Sequence, residues 1–288
     1  MTKIAILGTG RMGTAFARRL IEVGQPVIVW NRTAAHMNAA LEAGATLASS
    51  ITEAGDADVI LISLTNAKAV GAVIDKLITA GIAGKLVIDF STLLPQETKD
   101  IGARITAAGA DFIDCPVGGT VGPALKGLLL GMAGGTEFAF ARAKPILEHL
   151  CKRVELLGPT GAGAHMKLAV NLPLAIYWKT LSEALVMLDG SGISTDVAIS
   201  IIADSSGAPT VLKNRMQIVL DTMEGTDQPG TFDIAGLAKD LDLALAQAEK
   251  LGHQMPLSAE TMKSYTEAMA SGLGRFDGAS LTQHLLSD

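Results

Sequence analysis

The sequence is poor in cysteine and has no paired histidines, and each shortage excludes a class of protein. Cys115 and Cys151 are the only cysteines among 288 residues. A secreted domain built on disulfides is therefore excluded, and a reducing, cytoplasmic setting is expected. None of the five histidines stands at metal-ligand spacing from another, so no metal site is expected.

Positive charge and long apolar runs are also scarce. The formal net charge is −6, which argues against a nucleic-acid partner. Glycine, proline or a charged residue interrupts each apolar run before it reaches bilayer length, so no membrane span is expected. The first strand-like run begins at Lys3 without a basic leader, and no signal peptide is expected.

Hydrophobic residues, by contrast, make up 49% of the chain, enough for a sizeable core and two domains. Up to about residue 160, short apolar runs alternate with helical patterns, which predicts a largely parallel sheet covered by helices on both faces. After Gly163 only helical patterns follow. We therefore predict a doubly wound α/β domain over 1–162, then an all-α domain over 163–288, joined by one long helix.

The predicted strands and helices follow from these patterns. The predicted strands are 3–8, Val27–Trp30, Val59–Ser63, Leu86–Phe90, Phe112–Cys115, Leu128–Ala133 and Val154–Leu157. The helical patterns include Ala67–Ala80 and Pro95–Ala108, and in the second part 164–189, 194–204, 208–222, 233–252 and 256–271.

A glycine motif follows the first strand and opens a helix: Gly8, Thr9, Gly10, Arg11, Met12 and Gly13. Gly8 permits a tight turn, Gly10 lets the backbone approach a pyrophosphate, and Gly13 lets helix and strand pack closely. The motif alone is weakly specific. Its place between a strand and a helix predicts dinucleotide binding.

The end of the second strand indicates which dinucleotide is bound. NAD enzymes usually carry Asp or Glu there, whereas this chain has Asn31, Arg32 and Thr33. A guanidinium can bind a 2′-phosphate bidentately, while a carboxylate would repel it. His36 could add a donor. NADPH is therefore the expected cofactor; the alternative is that Arg32 is an ordinary surface arginine.

Two further strand ends fall at the same predicted edge, where doubly wound sheets bind ligands. Leu64 and Thr65 follow one strand, and Thr92 follows another. We assign all three to the cofactor site, although each threonine could instead be a helix N-cap. The glycine-rich loop of Gly118, Gly119 and Thr120 could wrap an anion such as a substrate carboxylate; the alternative is a simple turn.

Lys167 and Asn171 lie four residues apart in the long helix and share one face of it. A lysine in such an apolar segment either reaches solvent along its stem or meets a ligand. Trp178 falls near the same face, either as a pocket wall or in the core. A further polar segment, Lys239-Asp240-Leu-Asp242, lies on a later predicted helix.

Over nearly its whole length the chain resembles the β-hydroxyacid dehydrogenases, a family that includes 3-hydroxyisobutyrate dehydrogenases and tartronate-semialdehyde and succinic-semialdehyde/glyoxylate reductases. The shared motifs are the glycine motif, Ser91-Thr92-x-x-Pro95, the 114–119 loop, Gly161-x-Gly163-x-x-x-Lys167-x-x-x-Asn171, Lys239-Asp240-Leu241, Pro256-Leu257 and the Asp277 region. Their order and spacing are more specific than any one of them.

The resemblance implies a Rossmann domain followed by a helical domain, and a homodimer or tetramer. It implies that Lys167 is the general acid and base and that Asn171 holds the substrate. Gly118, Gly119 and Thr120 would bind its carboxylate, and Lys239 would lie near the nicotinamide. The implied reaction is hydride transfer between NADPH and a short aldehyde acid of the semialdehyde or glyoxylate type.

The chain departs from the family at Gly118, where the usual loop has a serine. The Gly-x-Thr loop resembles that of sulfolactaldehyde reductases, but their arginine is replaced by Gly119, so a sulfonate substrate is not expected. Three alternatives stay open: an imine reductase, which usually has Asp or Tyr in place of Lys167; a 6-phosphogluconate dehydrogenase, whose histidine before the asparagine is Val170 here; and a non-catalytic NADPH sensor.

Overall fold

The computed structural model describes residues 2–284. The chain divides into two compact units after Leu168. None of the helices described within residues 2–284 is both long and apolar enough to cross a membrane.

The first unit is built on a nine-stranded sheet in the order β3-β2-β1-β4-β5-β6-β8-β7, with β9 paired to β8. All pairs from β3 to β6 are parallel, and β8 is antiparallel to β6 and β7. The strands are β1 (Ile4–Leu7), β2 (Val27–Trp30), β3 (Thr46–Leu47), β4 (Val59–Ile62), β5 (Leu86–Asp89), β6 (Asp111–Asp114), β7 (Val117–Gly118), β8 (Leu129–Gly135) and β9 (Cys151–Gly158).

Helices cover both faces of this sheet. They are α1 (Arg11–Glu22), α2 (Asn38–Glu42), α3 (Ile51–Ala54), α4 (Ala67–Ala80), α5 (Pro95–Ala107), α6 (Val121–Leu125) and α7 (Glu137–Leu150), with a 3₁₀ turn at Ala34–Met37. Alternate residues of β1 enter opposite hydrophobic clusters, Ile4 and Ile6 on one side and Ala5 and Leu7 on the other. This period of two requires a sheet buried on both faces, and the predicted doubly wound sheet is confirmed.

The second unit is helical. Its helices are the remainder of α8 (Ala162–Val186), then α9 (Thr195–Asp204), α10 (Thr210–Met223), α11 (Ile234–Lys250), α12 (Pro256–Ala270), a 3₁₀ turn at Leu273–Arg275, and α13 (Ser280–His284). Between Ala169 and His284 the strand-like pairings are two isolated bridges. The predicted all-α character is confirmed.

Trp178 belongs to the core of this helical unit, where it is 1% exposed. The Tyr265 hydroxyl, also buried, donates to Ala175 O at 2.9 Å. A Cβ on Gly278 would lie 2.8 Å from Trp178 Nε1, so the indole is closely packed. Trp178 therefore serves core packing, and the alternative of a pocket wall is wrong.

Candidate active site

The register of the central strands brings their carboxyl ends to one edge of the sheet. Leu7 pairs with both Trp30 and Ile62, Ile62 pairs with Asp89, and Asp89 pairs with Asp114. These five residues are the last of their strands. The loops that follow, which contain the predicted cofactor and carboxylate residues of the first unit, therefore start from one line across the sheet, where doubly wound sheets bind ligands.

The glycines of the first loop are required by close contacts. Gly8 has φ +100°, and a Cβ there would lie 2.3 Å from Ser63 O. A Cβ on Gly13 would lie 1.9 Å from Gly8 O, so α1 crosses the loop in direct contact. At Gly10, by contrast, a Cβ would meet nothing within 4 Å. Gly8 and Gly13 are thus structural, while Gly10 leaves open space at the start of α1.

The arrangement around Thr9 fits a dinucleotide. Thr9 N donates to Asn31 Oδ1 at 3.2 Å, and Asn31 Nδ2 donates to Thr33 O at 3.0 Å, so Asn31 braces the glycine loop against the end of β2. The Thr9 hydroxyl is buried without a hydrogen-bond partner among the described residues. No side chain caps α1 at Gly10, which leaves its N-terminus available to an anion.

Basic and polar side chains after β2 are open to solvent. Arg32, Thr33 and His36 are all exposed, at the start of the 3₁₀ turn. Arg11 is exposed at the start of α1, whereas Met12 packs partly against the core. The predicted 2′-phosphate residues are therefore accessible, and they follow the Asn31 that accepts a hydrogen bond from the glycine loop.

Leu64, Thr65 and Thr92 follow β4 and β5. Leu64 N donates to Ser91 Oγ at 3.1 Å, which ties the two loops together. The cap of α4 is Asn66, whose side chain accepts from Ala69 N, and α5 has its N-cap position at Leu94. The N-cap alternative is therefore wrong for both threonines, while their cofactor role stays a prediction.

Lys167 meets the predicted carboxylate loop. Its Nζ donates to Val117 O at 2.8 Å, and the side chain is 9% exposed. Gly118 pairs with Leu130 in β7, Gly119 has φ +113°, and Thr120 precedes α6. The alternative that Lys167 reaches bulk solvent is wrong, because its amine lies against the loop beside Gly118.

Two buried carboxyl groups lie on adjacent strands behind these loops. Burial raises the pKa of Asp89 to about 7, against opposing hydrogen bonds from Ser91. Burial likewise raises the pKa of Asp114 to about 6, although backbone amides of Gly161 and Ala164 counteract it. Asp89 accepts from Ser91 N at 2.9 Å and so shapes the turn that contains Ser91 and Thr92.

In the second unit, Asn171 lies against the Lys239-Asp240 segment. Asn171 Nδ2 donates to Asp240 Oδ2 at 2.6 Å, and Lys239 Nζ lies 3.2 Å from Asp240 Oδ1. Asp240 is 6% exposed. Because a carboxylate only accepts hydrogen bonds, Asp240 fixes the orientation of the Asn171 amide and leaves its oxygen turned elsewhere.

Three buried acids, Asp89 and Asp114 in the first unit and Asp240 in the second, had no assigned role from the sequence. The amides that donate hydrogen bonds to Asp114 and to Asp240 lie 47 or more residues away from them in the chain. Local patterns do not reveal such pairs. The signal that could have found Asp114 was an acid at the end of an apolar strand combined with glycines at 161 and 163.

Comparison of the sequence with protein-family models identifies two matching domains. Residues 3–158 match the NAD-binding domain of 6-phosphogluconate dehydrogenase, and residues 161–285 match a domain described as the NAD-binding domain of NADP-dependent 3-hydroxyisobutyrate dehydrogenase. Both descriptions are of nicotinamide-dinucleotide enzymes, so a nicotinamide cofactor is supported.

Relatives that match this chain over nearly its whole length are reductases and dehydrogenases by their names. Glyoxylate/succinic semialdehyde reductase 1 of Arabidopsis thaliana is 31% identical over 96% of this chain and 95% of its own. The 3-sulfolactaldehyde reductase of Escherichia coli is 32% identical over 99% and 96%. The 3-hydroxyisobutyrate dehydrogenase structure of Mycobacterium tuberculosis, with L-serine, superposes with a TM-score of 0.88 at 26% identity and covers 99% of both chains. The chain therefore belongs to the β-hydroxyacid dehydrogenase family of oxidoreductases.

Proposed function

We propose that this protein is an NADPH-dependent reductase of short aldehyde acids of the semialdehyde or glyoxylate type, and that it also catalyses the reverse oxidation. One observation carries the proposal: the buried Lys167 amine is held 2.8 Å from Val117 O, beside the Gly118–Thr120 loop. An amine beside the predicted carboxylate loop supports a role as proton donor to the substrate.

Each residue of the proposed site has a separate role in the reaction. Lys167 protonates the carbonyl oxygen as negative charge develops there, and in the reverse direction it accepts the hydroxyl proton. Asn171, oriented by Asp240, holds the substrate from the next turn of the helix. The backbone amides of Gly118 and Gly119 and the Thr120 hydroxyl bind the carboxylate, which fixes the carbonyl group relative to Lys167.

The proposed cofactor-binding residues of the first unit follow strands that end at one edge of the sheet. Gly8 to Gly13 would hold the pyrophosphate at the N-terminus of α1, and Asn31, Arg32 and Thr33 the adenosine ribose with its 2′-phosphate. Leu64, Thr65, Thr92 and Lys239 would lie along the nicotinamide half. Bound NADPH supplies the hydride. The NADP-dependent description of the second matching domain and the absence of an acid at residues 31–33 support this choice over NADH.

A substrate panel tests the proposal. Oxidation of NADPH is followed with glyoxylate, succinic semialdehyde, an uncharged short aldehyde and a cyclic imine. We expect the two aldehyde acids to have the highest kcat/KM, because only they can use both the amine and the carboxylate loop. A preference for the imine would indicate an imine reductase, and binding of NADPH without turnover of any compound would indicate a sensor.

The family serine can be restored at Gly118 without a steric clash. A Cβ there meets Leu130 Cβ at 3.5 Å, an ordinary van der Waals contact. Gly118→Ser is expected to lower KM for the aldehyde acids by roughly 3- to 10-fold, the equivalent of about one net hydrogen bond to the carboxylate. Steady-state kinetics with glyoxylate and succinic semialdehyde measure this.

The matched control is Gly119→Ser, one residue later. Its φ of +113° and a Cβ only 2.8 Å from Leu129 Cδ2 make a side chain strained there, so this variant should not improve KM. An equal fall in KM of the Gly118→Ser variant for an uncharged aldehyde would contradict the carboxylate-binding role.

We also propose that residues 1–162 form the NADP-binding domain, that residues 163–288 form the substrate and dimerisation domain, and that the protein works in the cytoplasm as a homodimer or tetramer. Apolar side chains are exposed around the end of α8 and along α9, namely Val186, Met187, Ile193, Val197 and Ile201. Such a cluster favours an interface. Sedimentation velocity should therefore give an oligomer rather than a monomer.

A further inference from the structure

Asp114, the last residue of β6, joins that strand to the start of α8. Its Oδ1 accepts a hydrogen bond from Gly161 N at 2.7 Å, and its Oδ2 accepts one from Ala164 N at 3.0 Å. The residue is 2% exposed. Both carboxylate oxygens are thus engaged by the chain that begins the helix.

Two glycines, Gly134 and Gly163, leave the space that the Asp114 carboxylate needs to reach these backbone amides. A Cβ on Gly134 would lie 2.6 Å from Asp114 Oδ1, and a Cβ on Gly163 would lie 2.8 Å from Asp114 Oδ2. A larger residue at either position would push the carboxylate away from the helix. The absence of these two side chains is what lets the acid reach the backbone amides.

The hydrogen bond from Ala164 N to Asp114 lies about one helical turn before Lys167. Ala164 is three residues before Lys167 on α8, and Asp114 is three residues before Val117, which accepts the hydrogen bond of the Lys167 amine. The segment 114–117 and the start of α8 are therefore connected twice, once through the Asp114 carboxylate and once through the Lys167 amine. A shift of the first turn of α8 away from Asp114 would also shift the Lys167 amine relative to Val117.

The negative charge of the Asp114 carboxylate is stabilised by its position at the start of α8. The first amides of a helix carry partial positive charge, and their hydrogen bonds to an ionised acceptor are stronger than those to a neutral one. Burial raises the pKa of Asp114 to about 6, which still leaves the group ionised above neutral pH.

We propose that Asp114 is a positioning residue for the reaction, whose carboxylate holds the first turn of α8 against the end of β6 and thereby keeps the Lys167 amine at the substrate loop. The proposal rests on the proposed function, in which Lys167 transfers the proton.

Asp114→Asn tests this. The variant keeps the size of the side chain but has one acceptor oxygen, and its NH₂ group faces an amide donor. We expect kcat to fall roughly 10- to 100-fold, the effect of misplacing a catalytic group, while the Kd of NADPH changes little. Thr136→Ala is the control, because it removes the side-chain cap of α7 in the same unit and should lower stability without lowering kcat.

A double-mutant cycle separates positioning from general damage. In a Lys167→Met background, Asp114→Asn should leave the residual turnover within about twofold, because a residue that acts through Lys167 has no effect once the amine is gone. An equal loss in both backgrounds would overturn the proposal. If Lys167→Met itself keeps full turnover, the proposed function fails instead, and the two failures are thus distinct.

Folding of the variants is checked by circular dichroism and NADPH binding. Loss of a buried charge offsets part of the lost hydrogen bonding, so Asp114→Asn is expected to fold. Asp114→Ser, a shorter neutral acceptor, is the second variant and should show the same loss in kcat. Full kcat in either folded variant would refute the positioning role.

Discussion

Lys167→Ala should lose at least ~10²-fold in kcat with the aldehyde acids while NADPH still binds, since a positioned general acid contributes typically ~10²–10⁴-fold. The structure explains why the loss should fall on turnover. Lys167 is 9% exposed, and its amine donates to Val117 O, beside the loop proposed to bind the substrate carboxylate. Steady-state kinetics and fluorescence titration of NADPH measure the two effects separately.

Two variants control this experiment. Lys167→Met keeps a stem of similar length without the amine, so it separates loss of the proton donor from loss of packing. Lys144→Ala removes a lysine that is half exposed on α7 and paired with Glu148, and it should leave kcat unchanged. Turnover retained in both Lys167 variants would show that the proton comes from another group.

Arg32→Ala should weaken NADPH binding by roughly 1.5–3 kcal/mol, the scale of a hydrogen bond to a charged group, and should barely change NADH binding. Arg32 is exposed directly after β2 and beside the Asn31 that braces the glycine loop. A 2′-phosphate is the part of NADPH that NADH lacks, so the loss should be confined to NADPH. Titration of each cofactor by fluorescence gives both affinities.

Arg153→Ala is the matched control for this effect. Arg153 is an exposed arginine on β9, which pairs with β8 toward the other end of the sheet from β2. The control variant should bind both cofactors as the wild type does. Equal losses for NADPH and NADH in Arg32→Ala would remove the 2′-phosphate assignment.

Hydrophobic periodicity was enough to predict most elements of the fold. The helix Ala67–Ala80 was predicted with its observed bounds; in the structure the Asn66 side chain caps its start, and Gly81 with φ +91° follows its end. β9 was predicted only over Val154–Leu157, because its earlier residues Lys152 and Arg153 are polar and exposed. The two-residue strands β3 and β7 were missed, since two residues are too short to show a period.

The candidate site, like the fold, could be predicted from the sequence only in part. Strand ends could be located from the sequence, so the residues at the sheet edge were named in advance. The contacts of Asp114 with Gly161 and of Asn171 with Asp240 join residues far apart in the chain. They depend on packing that no local pattern encodes, so only the folded structure showed these contacts.

The neighbouring carboxyls of Asp89 and Asp114 also carry a thermodynamic consequence for the Rossmann unit. Burial raises both pKa values above that of a free aspartate, to about 7 and about 6, so the native state binds protons that the denatured state has released. Their contribution to the free energy of unfolding is therefore fully present below about pH 4 and is lost as pH rises to about 6 for Asp114 and about 7 for Asp89. Denaturant titrations across that interval should show this decline, and Asp89→Asn should flatten it.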